Sequence, residues 1–263
     1  MTLNLAGYTV GANRPLNNAR ILWQMITGTV TADGTDGVLA ANDFTGQRWK
    51  LVAGVQNWTL QTAADVQIDC VMIAAHNLAG KTVTIGTSVD LVSAFTTRAT
   101  VVVPDNSTIA VMFNTGAGAA HTIRRFRVTS SDGTNVQIGI IRGGVALQME
   151  QAFFSGHKPM MWNRMTESEP TRSEGGNWLG QITRRMQFQT TYGWEHLSQA
   201  WYEANFEPFA QSLPRAPFGI IGNPLRLGKA DVAWAWTSRD VSPSLMGVRD
   251  YLSVELPVTG FAG

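Results

Sequence analysis

The chain has 263 residues, 44% of them hydrophobic and 15% charged, with Lys and Arg numbering 20 against 19 Asp and Glu for a net charge of +1. Charged content well under the roughly 25% of an average globular protein, at ordinary apolar content, excludes a disordered chain. The even charge balance also removes the basic excess that phosphate neutralisation needs, and it holds in both halves: ten basic and nine acidic groups in residues 1–150, ten and ten in 151–263. No nucleic-acid partner is therefore expected. Near-zero net charge suits a subunit inside an assembly better than a free monomer.

The first ten residues show no basic segment followed by an apolar core, so no secretory leader is read there. No apolar run approaches the ~20 residues that span a bilayer, so no membrane insertion is expected. The chain reads as made in the cytoplasm. From there to residue 150, short apolar runs recur between polar turns: Val66–Ala75, Thr82–Ile85, Thr100–Val103, Thr108–Phe113, Ile123–Thr129 and Val136–Ile141. That rhythm predicts an all-β sandwich or barrel. The continuously apolar Cys70–Ala75 should be its central strand, and Cys70, the single cysteine, a buried structural thiol.

Residues 151–263 differ in character and hold six of the nine tryptophans. The polar, mixed segment Met160–Gly176 reads as an irregular arm or loop. Arg184–Thr190 reads as a strand. Trp194, Leu197 and Trp201 fall near helical spacing, which predicts a helix over Trp194–Phe206 that Pro208 ends. Strands follow at Val232–Thr237 and Arg249–Pro257. Trp194, Trp201, Trp234 and Trp236 are expected to cover one sheet face. The fold expected is mainly β: a sandwich over residues 1–148, then a smaller α+β domain with one main helix over 149–263.

Reactive constellations are thin. His76, His121, His157 and His196 show no metal-ligand spacing, and His76 reads as a strand-end ring bonded to a turn backbone. There is no G-x-S-x-G, Walker A or dinucleotide fingerprint. Asp33, Asp36 and Asp43 share a Gly-rich loop, but their spacing does not match a calcium loop. The chain is read as a non-enzyme without cofactor or metal. Trp49 and Trp58 are candidate glycan contacts, because an exposed indole can stack on a sugar, against the plainer reading that each fills the core.

Two stretches together resemble known families. The first comprises FTGQRW at 44–49, VMIAAHNL at 71–78 and GKTVTIGTS at 80–88, and is similar to the discoidin-type, galactose-binding-like β-sandwich. The second comprises GHKP at 156–159, SEGGNWLG at 173–180, Trp201, Glu207–Phe209, Pro217 and Phe218, and VAWAW at 232–236. It resembles the distal-tail or tail-tip structural proteins of long-tailed phages and prophages. That resemblance implies a virion subunit that forms a ring with sister copies, six-fold by analogy, and joins the tail tube to the baseplate hub. Trp162, Arg164, Arg172, Trp178, Arg184 and Arg185 are the interface candidates, since interface cores enrich Trp and Arg. The alternative is a carbohydrate-binding module for host-surface attachment, with a host glycan as partner.

Overall fold

The structure is a computed structural model, and it describes residues 2–6, 8, 18–115, 118–153, 157–213, 215–225, 231–247 and 250–261, apart from the side chains of Met161 and Arg185. In chain order the strands are β1 (Thr2–Leu5), β2 (Arg20–Leu22), β3 (Thr29–Ala32), β4 (Trp49–Lys50), β5 (Gln56–Ile68), β6 (Cys70–His76), β7 (Thr82–Ser88), β8 (Thr96–Val102) and β9 (Ile109–Met112). They continue as β10 (His121–Ser130), β11 (Gln137–Gly144), β12 (Leu147–Gln148), β13 (Arg164–Arg172), β14 (Trp178–Ser198), β15 (Phe218–Ile221), β16 (Val232–Trp236), β17 (Ser244–Leu245) and β18 (Tyr251–Phe261). The molecule is mainly β, as the composition of the first half implies.

Three sheets stack face to face. The outer sheet runs β3-β5-β10-β7-β8 and the middle sheet β1-β9-β6-β11-β4, together forming the sandwich. The third runs β12-β2-β15-β16-β18-β14-β13, with β17 beside β18. The middle sheet is covered on both faces, and this explains why every residue of β6 and β9 is buried. Side chains alternate across a strand. Val71 and Ile73 therefore enter the sandwich core with Trp58, Ile85 and Phe126, while Cys70 and Met72 pack the other way, against Leu22, Ile221 and Val232 of the third sheet. Cys70 is wholly buried, and burial, with the Asp69 charge as a lesser cause, pushes its thiol well above the ordinary range.

The contact between middle and third sheets depends on one small residue. A Cβ built on Gly219 of β15 would stand 2.0 Å from Met72 Sδ. The methionine thus occupies the space that any larger residue at 219 would need. On the far face of the third sheet, Tyr192, Trp194, Ile220, Leu252 and Val254 pack against Phe206 and Phe209. Those two rings belong to one helical segment, made of Gln199–Trp201, a π-helical turn Tyr202–Phe206, and Glu207–Ser212.

That helix is shifted from the expected Trp194–Phe206. Trp194 and Leu197 lie in β14 instead, paired with Val254 and Leu252 of β18. The ladder slips between them, and His196 there takes a φ of 60°. A bulge of this kind puts residues three apart on one face, which imitates helical spacing. Pro208 does not end the helix. It lies directly after the π-helical turn, as the second residue of Glu207–Ser212, and the helical segment runs on past it. The tryptophans expected to share one face divide between two: Trp194 and Trp201 lie on the helix side, whereas Trp234 packs with Ala74 and Ile140 of the middle sheet.

The chain lays β1 beside β9 at the edge of the middle sheet and then enters the third sheet before building the rest of the sandwich. β2, inside the span 1–148, pairs with β15 and with β12, so Leu147 lies opposite Ile21 and Gln148 opposite Arg20.

Gly219→Ala should destabilise the protein by about 1–3 kcal/mol through overpacking, and Met72→Ala by about 2–5 kcal/mol through the cavity it leaves. The double variant should cost less than the two singles added, because the new methyl enters the space vacated by the thioether. Urea unfolding of the four proteins measures this, and simple additivity would refute the contact.

Candidate functional site

β13 and β14 form a hairpin that outruns its neighbour. β18 accompanies β14 only as far as Gln187, opposite Phe261. Beyond that pair β13 and β14 continue alone, from Met165 opposite Gln187 to Arg172 opposite Trp178, and close through a turn in which Ser173 N–H donates to Asn177 O. All nine residues of β13 are exposed. The segment expected to be an irregular arm thus forms a two-stranded ribbon, with register shifts at Glu167/Ser168 and Thr171/Arg172, that is wet on both faces.

Such a ribbon has no core of its own and is marginal in isolation. Its side chains are nevertheless apolar at intervals. Trp178 is 67% exposed, Leu179 63% and Ile182 65%, with Met165 and Met186 also in the open and Trp162 at the root 70% exposed. Together they leave the arm and its root with six large apolar side chains in water.

The structure brings most of the sequence-predicted interface residues onto this one element. Arg172 and Trp178 are opposite each other near the tip, and Arg164 lies at the root opposite Phe188. Arg184 at mid-arm donates to Glu169 Oε2 from Nε at 3.0 Å. The backbone of Arg185 lies opposite Glu167, and its side chain is outside the described residues. Leu179, Ile182, Met165 and Met186 were missed from sequence. The signal available was the Trp178–Leu179 pair and Ile182 standing among polar residues.

The root of the arm is fastened from below. His157 Nε2 lies 2.7 Å from Asp231 Oδ2, and the imidazole stacks on Phe153 and Tyr192 at centroid distances of 4.9 and 4.8 Å. Burial, then the Asp231 charge, raises the Tyr192 hydroxyl well above its usual range, so it stays protonated. Asn163 Nδ2 donates to Gln189 O at 2.7 Å across the first residues of the hairpin.

Two clefts flank this frame. One, of about 540 Å³, lies at the root of the arm between β14, β18 and the segment after β16, lined by Lys158, Arg239 and hydroxyl and amide side chains. The other, of about 430 Å³, lies between the sandwich and the third sheet, where Phe44, Trp234 and Trp236 meet Asp43 and Arg215. Phe44 is 65% exposed and Trp236 half-buried.

The two glycan-contact candidates do not reach either cleft. Trp49 and Trp58 are fully buried in the sandwich core. Trp49 Nε1 donates to Asp33 O at 2.6 Å and Trp58 Nε1 to Gly37 O at 2.8 Å, so the indoles pin the Gly-rich loop instead of facing a ligand. The loop's carboxylates are engaged separately: Asp33 accepts from Asn57 N–H at 2.8 Å and Asp43 from Arg142 at 2.7 Å. Among the described residues no three His, Cys, Asp or Glu side chains are placed to hold a metal, and no helix is long and apolar enough to cross a membrane. His196, expected on the helix, is instead the bulge residue of β14.

No family model matches the chain, and no curated protein does. Solved structures do. Chitosan-binding module 1 of a chitosanase/glucanase from Paenibacillus sp. IK-5 is 19% identical, with a TM-score of 0.39 over 45% of this chain and 95% of that one. The family 32 CBM from C. perfringens NanJ, solved with galactose, is 12% identical, with a TM-score of 0.36 over 48% and 98%. The CBM32 of AlyQ, solved with 4,5-unsaturated mannuronic acid, is 20% identical, with a TM-score of 0.35 over 46% and 96%. Likeness at this level does not transfer a ligand.

His76 ends the central strand as the sequence implies, its Nδ1 accepting the Leu78 N–H at 3.2 Å. Burial lowers its pKa from 6.5 to about 4. Between those values the unfolded chain binds the extra proton and the folded one does not, so stability falls as the pH drops from 6.5 towards 4. Chemical denaturation at several pH values should show this slope reduced in His76→Gln. An unchanged slope would locate the dependence elsewhere.

Proposed function

We propose that this chain is a structural subunit whose β13–β14 arm docks on a sister copy or an adjoining part of a larger assembly. The observation that carries the reading is the arm itself: a ribbon exposed on both faces that holds Trp178, Leu179 and Ile182 in water. Covering those three side chains would contribute on the order of 1.5–3 kcal/mol each, enough together to matter in association. The even charge and the scarcity of lysine agree with a surface meant to be covered. The resemblance to tail-tip proteins supplies the setting: a phage tail tip or baseplate, in which copies form a ring, six-fold by analogy, between tail tube and hub.

Light scattering coupled to size exclusion tests this. The full chain should self-associate as its concentration rises. Trp178→Ser combined with Ile182→Ser should yield a folded monomer with unchanged circular dichroism. A wild-type protein that stays monomeric at every concentration would sink the reading.

The second cleft favours one further reading, glycan binding in host attachment. Phe44 and Trp236 offer aromatic surface beside the carboxylate of Asp43 and the guanidinium of Arg215, in a concave site. An apolar wall with a few polar groups is the usual make-up of a small-ligand site. A glycan array should then give a signal with the wild type that Trp236→Ala and Phe44→Ala remove, while Trp58→Phe keeps it. A blank array rejects this reading.

A further inference from the structure

We infer that the polar cleft at the root of the arm is a carboxylate-binding site, and that its occupant is Glu174 from the arm tip of a second copy. The inference rests on the assembly reading above and names the contact that the arm makes. Lys158 and Arg239 line the cleft, and among the described residues no Asp or Glu lines it. Neither cation forms an ion pair among the described residues. The surrounding frame is already tied: Thr190 Oγ1 donates to Lys158 O at 2.6 Å, and Arg239 N–H donates to Thr237 Oγ1 at 3.3 Å. Two unneutralised cations held beside hydroxyl and amide groups suit a carboxylate, because charge-assisted hydrogen bonds are the stronger kind.

The arm carries three glutamates. Glu169 is engaged by Arg184, and Glu167 has a partner of its own. Glu174 is exposed in the tip turn and forms no ion pair among the described residues. The turn presents it firmly, with Gly176 N–H donating to Ser173 O at 2.9 Å and Asn177 N–H to Ser173 Oγ at 3.1 Å. Glu174 cannot reach the cleft of its own chain. The ribbon between Arg164 and Arg172 keeps tip and root roughly 27 Å apart at ~3.4 Å per residue. A tip that meets a root joins two different patches, so the contact is head-to-tail and can propagate into a closed ring.

Charge reversal in the full chain tests the pairing. Glu174→Lys and Arg239→Glu should each weaken self-association by about tenfold or more, as expected when a charged hydrogen bond is lost. Mixing the two variants should restore it, since the lysine tip then meets the glutamate cleft and the native pair forms at the alternate contacts. Glu174→Cys with Ser238→Cys should trap a disulfide between chains, with the buried Cys70 not competing. If the wild type associates and both charge variants associate equally well, the tip-to-cleft contact is wrong while the assembly reading stands. Loss of association that mixing does not repair also overturns the pairing. A wild type that never associates overturns the assembly reading, and this contact with it.

Discussion

The sheet in the middle of the stack has no solvent face, and the rest of the architecture follows from that constraint. Strands buried on both sides are apolar along their length, as β9 and β6 up to Ala75 show. The second covering layer matches what it meets: Gly219 leaves the space that Met72 fills, and the large Trp234 lies against Ala74 and Ile140. Because the sandwich and the third sheet share this packed layer, the base from which the arm projects is fixed by a core and not by a flexible linker.

Rigid support below and bare apolar surface above are complementary properties. Ordering a long free hairpin costs conformational entropy that its own contacts do not repay. Here β18, the His157–Asp231 pair and the stacked rings of Phe153 and Tyr192 hold the root in place. A pre-aligned element loses less freedom on docking, so more of its apolar burial appears as affinity.

Sequence pattern revealed what burial writes and missed what burial does not. The central strand, the structural thiol, the strand-end imidazole of His76 and the strand at Val232–Trp236 were all legible, because each sits in a low-dielectric layer that dictates residue type. β13 was not legible as a strand. In Arg164–Arg172 both faces meet water, so no alternation marks it, and only its partner strand defines it. The helix was misplaced because a bulge at His196 gave two strand residues the spacing of a helical face. Trp49 and Trp58 show the limit for ligands: an indole that closes a loop and one that stacks on a sugar look alike until burial is known.

The crossings at Leu22 and Leu147 lie on neighbouring strands, Ile21 opposite Leu147. The segment from β3 to β11 therefore leaves and rejoins the third sheet at almost one point, the geometry of an inserted cassette, to which β1 adds an edge strand beside β9. A lineage could exchange the whole insert for another module, or enlarge its loops, without disturbing the strands that bear the arm. The replacement would have to keep a flat apolar underside for Trp234 and the neighbours of Gly219. The place where the chain departs and returns thus separates the part that can be replaced from the part that supports the arm.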